Sequence, residues 1–212
     1  MKRVATIILN RNLPDETDRL CELLMKNDNQ STDVFVVDAG SDESLLSKYT
    51  TWHADWPEAK KHGLRYQRGM NYGLLKLYEE GKFYNYDAFL LLTNDTELSE
   101  GEPIIDTLMS VLDEHKRVGL LSPCSQKWGE KLLLEKRSTM YFWYIHNNAN
   151  LLRREFIEDI METENPNYMN FLYDGTNFRG YGTESEIIAK GYINDWASAI
   201  TTKVWAEENE SH

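Results

Sequence analysis

"AFLLLTNDTELSEG", residues 88–101, is the stretch on which the reading of the whole chain turns. Five apolar residues, Ala88 to Leu92, end abruptly in Thr93-Asn94-Asp95-Thr96. A short unbroken apolar run of this kind reads as a strand buried on both faces, as inside a parallel sheet. Its last step delivers a carboxylate, Asp95, with an amide and hydroxyls around it. A turn former after the strand is one use for such a residue. A binding site built at the strand end is the other.

Working outward, strand and helix signals alternate. "VATIIL" (4–9) is strand-like, and Pro14-Asp15-Glu16 opens a helix with Leu20, Leu23 and Leu24 turned inward. "DVFVVD" (33–38) is a second buried strand, followed by a stretch where Ser41 and Asp42 can cap a short helix. Residues 69–80 carry a helical pattern, and after the 87–93 strand Ile104, Ile105, Leu108, Val111 and Leu112 share one helix face. "VGLLS" (118–122) makes a fourth strand. This order predicts an α/β fold, a mostly parallel central sheet with helices on both faces in the Rossmann-like manner. Ligands of such sheets sit at the carboxyl ends of the strands. Those ends carry Asn10-Arg11-Asn12, Asp38 and Asn94-Asp95-Thr96, so Asp95 is expected where the sheet builds its site.

After residue 123 the texture changes. Aromatics crowd "STMYFWYIHNN", helices are expected near 153–162 and from about Glu184, and "INDWASAI" reads as a last strand. This divides one domain into a nucleotide-type half, 1–122, and a more specific half, 123–212. The tail "AEENESH" is expected to fray.

Composition removes several function classes. With 23 basic against 35 acidic residues the net charge is −12, which disfavours nucleic acid, whose affinity rests on neutralising phosphates. No polybasic segment suits an anionic membrane surface, and no stretch approaches a membrane span. Cys21 and Cys124 have neither metal-site nor disulfide spacing and read as buried thiols of a reduced compartment. "MKRVATIIL" looks superficially like a signal peptide, but the run stops at Asn10 without a cleavage site, so it reads as a first strand. A soluble, cytoplasmic protein is expected.

Six stretches, in order from residue 3 to about 198, together resemble one family. "VATIILNRN" is similar to its opening, "VFVVDAGSDES" to its Val-Val-Asp-x-Gly-Ser-x-Asp segment and "RGMNYGL" to its Asn-x-Gly helix start. "LLLTNDTEL" stands where it has an Asp-x-Asp or Asn-x-Asp metal motif, "NANLLRREF" resembles its paired basic residues and "FRGYGTESEII" its aromatic-Gly-x-Glu-Asp motif. The family is glycosyltransferase family 2, of GT-A fold. The resemblance implies transfer of a sugar from a nucleoside-diphosphate donor, a UDP-sugar first, to a hydroxyl of a glycan or glycoconjugate acceptor. Mn²⁺ or Mg²⁺ across the diphosphate would stabilise the leaving group's charge, and these ions accept one or two carboxylates plus phosphate oxygens and water.

Carried over residue by residue, Asp95 would be the metal ligand. The flanking Asn94 and Thr96 depart from a two-carboxylate pattern, which leaves one strong ligand. Asp38 would accept from a pyrimidine N–H, although Asp-Ala-Gly equally suits an Asx turn. Asn10, Asn12 and Asn94 would border the nucleotide, and Arg68 with Gly69 and Asn71 would meet the diphosphate. Tyr141-Phe142-Trp143-Tyr144 is read first as a buried strand and second as a stacking face for an acceptor sugar. His146 is a possible extra metal ligand or a structural histidine. Trp52, His53 and Trp56 are candidates for a loop over the donor.

An inverting transfer needs a base. The family's second acid falls on Ser185, so the duty passes to Glu184, with Glu186 and Asp174 as alternatives and first-turn capping as Glu184's plain use. Two rivals remain beside the transferase. A binding domain without turnover fits the missing second carboxylate, and a nucleotidylyltransferase would want glycine after the first strand, where "LNRNLPDE" has none. A dehydrogenase lacks its G-x-G-x-x-G.

Overall fold

The computed structural model describes residues 3–99, 101–145 and 148–209. The chain order is β1 (Val4–Asn10), α1 (Pro14–Asp28), β2 (Thr32–Asp38), β3 (Thr50–His53), α2 (Pro57–His62), α3 (Arg65–Glu79) and β4 (Ala88–Thr93). It continues through β5 (Thr96–Leu98), α4 (Ile104–Glu114), β6 (Val118–Cys124), α5 (Glu130–Leu133) and β7 (Thr139–Tyr141). It ends with β8 (Ala149–Arg153), α6 (Arg154–Ile160), α7 (Thr183–Ile193) and β9 (Ala197–Glu208).

These strands form one curled sheet in the order β3-β2-β1-β4-β8-β6-β9-β5, with β7 also on β9. Strands β3, β2, β1 and β4 run parallel, and β6 pairs β9 in parallel. Strand β8 runs antiparallel between β4 and β6. Residue 123 lies inside β6, so no linker marks the change of texture there, and β8 from the second half sits between two strands of the first.

Strand β4 shows why its apolar run is unbroken. Phe89 and Leu91 enter the core under α3 and α7, while Ala88, Leu90 and Leu92 enter the core under α1 and α4. Both faces are covered, so no position on the strand favours a polar residue. Asp28 at the end of α1 accepts from the Ile105 amide at 2.8 Å, satisfying one of the orphan donors that open α4.

Three local expectations are corrected. Only a 3-10 turn, Glu43–Leu45, follows β2, and Asp42 makes no side-chain cap; Ser41 turns back to Asp38 instead. Ala206–Glu208 does not fray: these residues extend β9 and pair antiparallel with β5. The aromatic run is not a buried strand, because β7 ends at Tyr141 and Tyr141, Trp143 and Tyr144 are exposed. No helix among the described residues is long and apolar enough to cross a membrane.

Candidate functional site

The sheet register assembles the site. Asn10 lies opposite Asp38, and Leu9 opposite Thr93, so the carboxyl ends of β1, β2 and β4 finish at one level. Asn10 is fully buried and joins all three. Its Nδ2 donates to Asp38 Oδ2 at 2.7 Å, and its Oδ1 accepts from Asn94 Nδ2 at 3.1 Å and from Thr17 Oγ1 at 2.9 Å.

Asp38 stands at the strand end as expected, but its carboxylate is fully buried. Oδ1 accepts from the amides of Gly40 and Ser41 at 3.1 and 2.8 Å, and Oδ2 accepts from Ser41 Oγ at 2.7 Å. The carboxylate, fully buried, therefore does the work of an Asx turn. Asn12 is exposed, in a left-handed conformation (φ 58°), with its amide donating to Ser41 Oγ at 2.9 Å. His53 Nε2 lies 3.6 Å from Asp38 Oδ1 on the other side of this turn. Neither tryptophan nearby forms a cover: Trp52 stacks on Phe35, and Trp56 packs on Tyr72 and Tyr168.

Asp95 differs from Asp38. It is half-buried in the turn between β4 and β5, and its Oδ1 is buried yet accepts no hydrogen bond. A buried carboxylate oxygen without a donor is costly unless a cation meets it. Among the described residues no group of three or more His, Cys, Asp or Glu is placed to hold a metal. The donor set is thus one carboxylate, which suits a divalent ion whose remaining ligands come from phosphates and water. His146 lies outside the described residues.

Helix α3 forms one wall of the site. A Cβ on Gly69 would collide with Leu9, so glycine lets the helix start press directly onto β1. Arg68 is not a solvated surface residue. Its Nε donates to Gly175 O at 2.6 Å and its guanidinium lies 4.8 Å over the Phe178 ring. Asn71 is fully buried. Its Nδ2 donates to the carbonyls of Tyr168 and Tyr173, and its Oδ1 accepts from the amides of Leu172 and Tyr173.

The start of α7 lies beside that of α3, Gln67 Nε2 donating to Glu186 Oε2 at 3.4 Å. Gly182 takes a left-handed conformation (φ 75°) that a side chain would strain, and turns the chain into the helix one residue before Thr183. Glu186 is committed to the fold, accepting from Lys190 Nζ at 2.6 Å and the Asp174 amide at 2.8 Å. Asp174 is bound to Thr176, whose hydroxyl and amide hold its carboxyl below the usual range. Glu184 borders a different cluster. Burial pushes the Tyr66 hydroxyl up to about 12, with the Glu184 charge adding to the rise. That hydroxyl accepts from Asn150 Nδ2 at 3.3 Å. Two buried acceptors, Asn150 Oδ1 and Gln67 Oε1, lack donors in the same region. The sequence pointed to neither Tyr66 nor Asn150: each lies in an otherwise apolar or helical segment, and only the packing of α3 on β8 joins them.

No family model matches the chain, and no curated protein does. Solved structures do. GalNAc-T7 with UDP, GalNAc and Mn²⁺ superposes at a TM-score of 0.66 and 12% identity, over 98% of this chain and 44% of that one. TarS of S. aureus gives 0.62 at 13% identity, over 94% and 35%. The mannosyltransferase PcManGT of Pyrobaculum calidifontis, in complex with GDP-Man and Mn²⁺, gives 0.55 at 15%, over 94% and 54%. The chain thus spans between about a third and just over half the length of these proteins. What they share with it across almost its whole length is architecture: the chain has the fold of the GT-A nucleotide-sugar glycosyltransferases.

Proposed function

We propose that the chain is a glycosyltransferase that moves a sugar from a nucleoside-diphosphate donor, a UDP-sugar before others, to an acceptor hydroxyl of a glycan or glycoconjugate. The observation that carries this reading is the buried, unpaired Oδ1 of Asp95 at the edge where β1, β2 and β4 end together. Asp95 would hold Mn²⁺ or Mg²⁺, with the donor's phosphates as co-ligands. When bound, the ion supplies Lewis-acid stabilisation of the departing diphosphate. Neighbours of the same fold solved with nucleotide and Mn²⁺ support this assignment.

The other roles follow from position. Residues 1–122 would take the donor and 123–212 the acceptor. Asn94 and Asn12 would border the nucleotide, with Asn10 and Asp38 fixing the floor beneath it. The outer nitrogens of Arg68 would reach the diphosphate while its Nε stays on Gly175. Glu184, in the first turn of α7, would remove the acceptor proton in an inverting transfer. The two buried free thiols support a reducing compartment such as the cytoplasm, as burial raises Cys21 to about 12 and Cys124 to about 11.

Thermal denaturation with UDP and GDP, each with Mn²⁺ or EDTA, tests the reading. UDP with Mn²⁺ should raise Tm, by more than GDP does, and EDTA should abolish the rise. No metal-dependent shift with either nucleotide would overturn the donor assignment. A shift without hydrolysis or transfer would instead favour a binding domain without turnover, for which the single carboxylate already speaks.

A further inference from the structure

A cleft among the described residues lies away from Asp95. It measures about 740 Å³ and lies between β7, the start of β9 and the outer face of α7. It is lined chiefly by Tyr141, Trp143, Tyr192 and Trp196, with Arg117 and Asp195 at one end. Trp143 and Tyr192 are 77% and 79% exposed. Large aromatic rings lying open to water around a concavity of this size mark a binding site more often than a bare surface.

Two of the rings, Tyr141 and Trp196, are held in place. Tyr141 stands edge-on to His115, its hydroxyl 3.4 Å from Nδ1. Trp196 donates from Nε1 to Asp159 at 2.8 Å and meets the Phe156 ring nearly at right angles. Fixed aromatic faces lose little entropy on binding. The polar end is neutral in sum, because Arg117 Nη2 lies 3.7 Å from Asp195 Oδ1 and donates to the Asp195 carbonyl at 2.9 Å.

The lining of the cleft takes in the second half of the helix whose first turn carries the proposed base. Ile188 and Tyr192, both in its lining, follow Glu184 at intervals of four residues and so share its side of α7. Eight residues of helix span roughly 12 Å, which separates Tyr192 from Glu184 and sets the cleft at the amino ends of β6 and β9.

We infer that this cleft binds an uncharged oligosaccharide, holding the part of the acceptor that trails away from the reacting hydroxyl. The inference rests on the transferase reading above and names its acceptor class. Sugar rings present C–H faces that suit the negative faces of aromatic rings, and edge hydroxyls that suit a neutral Arg–Asp pair. An acyl chain would strand Arg117 and Asp195 against hydrocarbon. A polyanion would meet a chain of net charge −12.

The test is calorimetric titration of wild type, Trp143→Ala and Tyr192→Ala with cellohexaose, chitohexaose, maltohexaose and α-1,6-mannohexaose, each against its monosaccharide. The UDP–Mn²⁺ thermal shift is measured on the same three proteins. At least one hexasaccharide should bind wild type well above its monosaccharide. Each exposed substitution should weaken it by about tenfold or more, with the UDP–Mn²⁺ shift unchanged. No binding by any hexasaccharide, or equal binding by all three proteins, overturns the inference. If the UDP–Mn²⁺ shift persists in that case, the transferase reading survives. Glycan binding without a nucleotide shift would remove the transferase reading and leave the cleft as a glycan site alone. Sedimentation gives the remaining outcome: a dimer that Trp143→Ala dissociates, without glycan binding, assigns the cleft to a second copy and overturns the inference.

Discussion

Asp38 and Asp95 are both aspartates at strand ends, and their surroundings give them opposite uses. Removing Asp38 leaves Asn10 Nδ2 and the amides of Gly40 and Ser41 without their acceptor. Asp38→Ala should therefore cost about 1–3 kcal/mol or more, the penalty for stranding buried polar groups. A lower Tm without any ligand checks this. Asp95→Ala removes a buried oxygen that pairs with nothing in the chain, so its Tm without ligand should match or exceed wild type, while its UDP–Mn²⁺ shift disappears. A full shift in that variant would end the metal assignment. The acids of α7 are tested by separate substitutions. Glu184→Gln should keep Tm and donor affinity but slow transfer by on the order of 10²–10⁴, the usual loss for a general base. Glu186→Gln should instead lower Tm, because Lys190 and the Asp174 amide lose a charged acceptor. Transfer at wild-type rate by Glu184→Gln would move the base elsewhere or indicate a retaining mechanism.

Among the elements, α3 does two jobs with its first turns. Gly69 sets how near the helix comes to β1, and Gly73 does the same against Ile7 and Val37. Asn71 then ties the segment 168–173 to the helix through four hydrogen bonds, all to main-chain groups. A side chain that satisfies two carbonyls and two amides in the interior substitutes for a strand or helix that this segment lacks. Asn71→Ala should cost about 2–4 kcal/mol, lowering Tm by roughly 5–15 °C for a chain of this size. It should also loosen the 174–181 loop. Proteolysis between 168 and 181 that is no faster than in wild type would show that Phe171 and Tyr173 packing alone holds the segment. Arg68 reaches the same loop from one turn earlier, through Gly175 and Phe178. One helix therefore holds both the 168–173 segment and the loop at Gly175 and Phe178.

For the whole molecule, the end of β9 closes the sheet beside the site. Ala206–Glu208 pair with Leu98–Thr96, and the Asn209 amide donates to the Asp95 carbonyl at 2.9 Å. Ending the chain after Val204 removes this pairing and the buried Ala206. Such a truncation should lower Tm by several degrees, as the loss of a few buried main-chain hydrogen bonds implies. It should weaken the UDP–Mn²⁺ shift as well, because the turn carrying Asp95 loses its outer partner. An unchanged shift would show that β4 alone positions that carboxylate.

How much of this was legible without coordinates varies with the range of the interaction. The apolar runs 4–9, 33–38 and 88–92 determined three adjacent strands, and the helical spacing between them required parallel crossovers, because a parallel connection needs a covering element. The strand-end position of Asn10, Asp38 and Asp95 followed from that topology. Their chemistry did not. Asp38 and Asp95 carry the same side chain, and only the register that sets Asn10 between Asp38 and Asn94 decides which carboxylate is satisfied and which is left bare. The aromatic run 141–144 is similar: a period-free apolar stretch looks the same whether neighbours cover it or not. Its exposure arises because β7 sits at the rim of the sheet, where among the described residues it pairs with β9 alone. The tail 206–208 is polar enough to read as frayed, yet β5 supplies it with a partner from more than a hundred residues away. Local pattern determined which segments are strands and helices; long-range pairing, which no local pattern encodes, decided which polar groups are consumed in holding them together and which remain for a ligand.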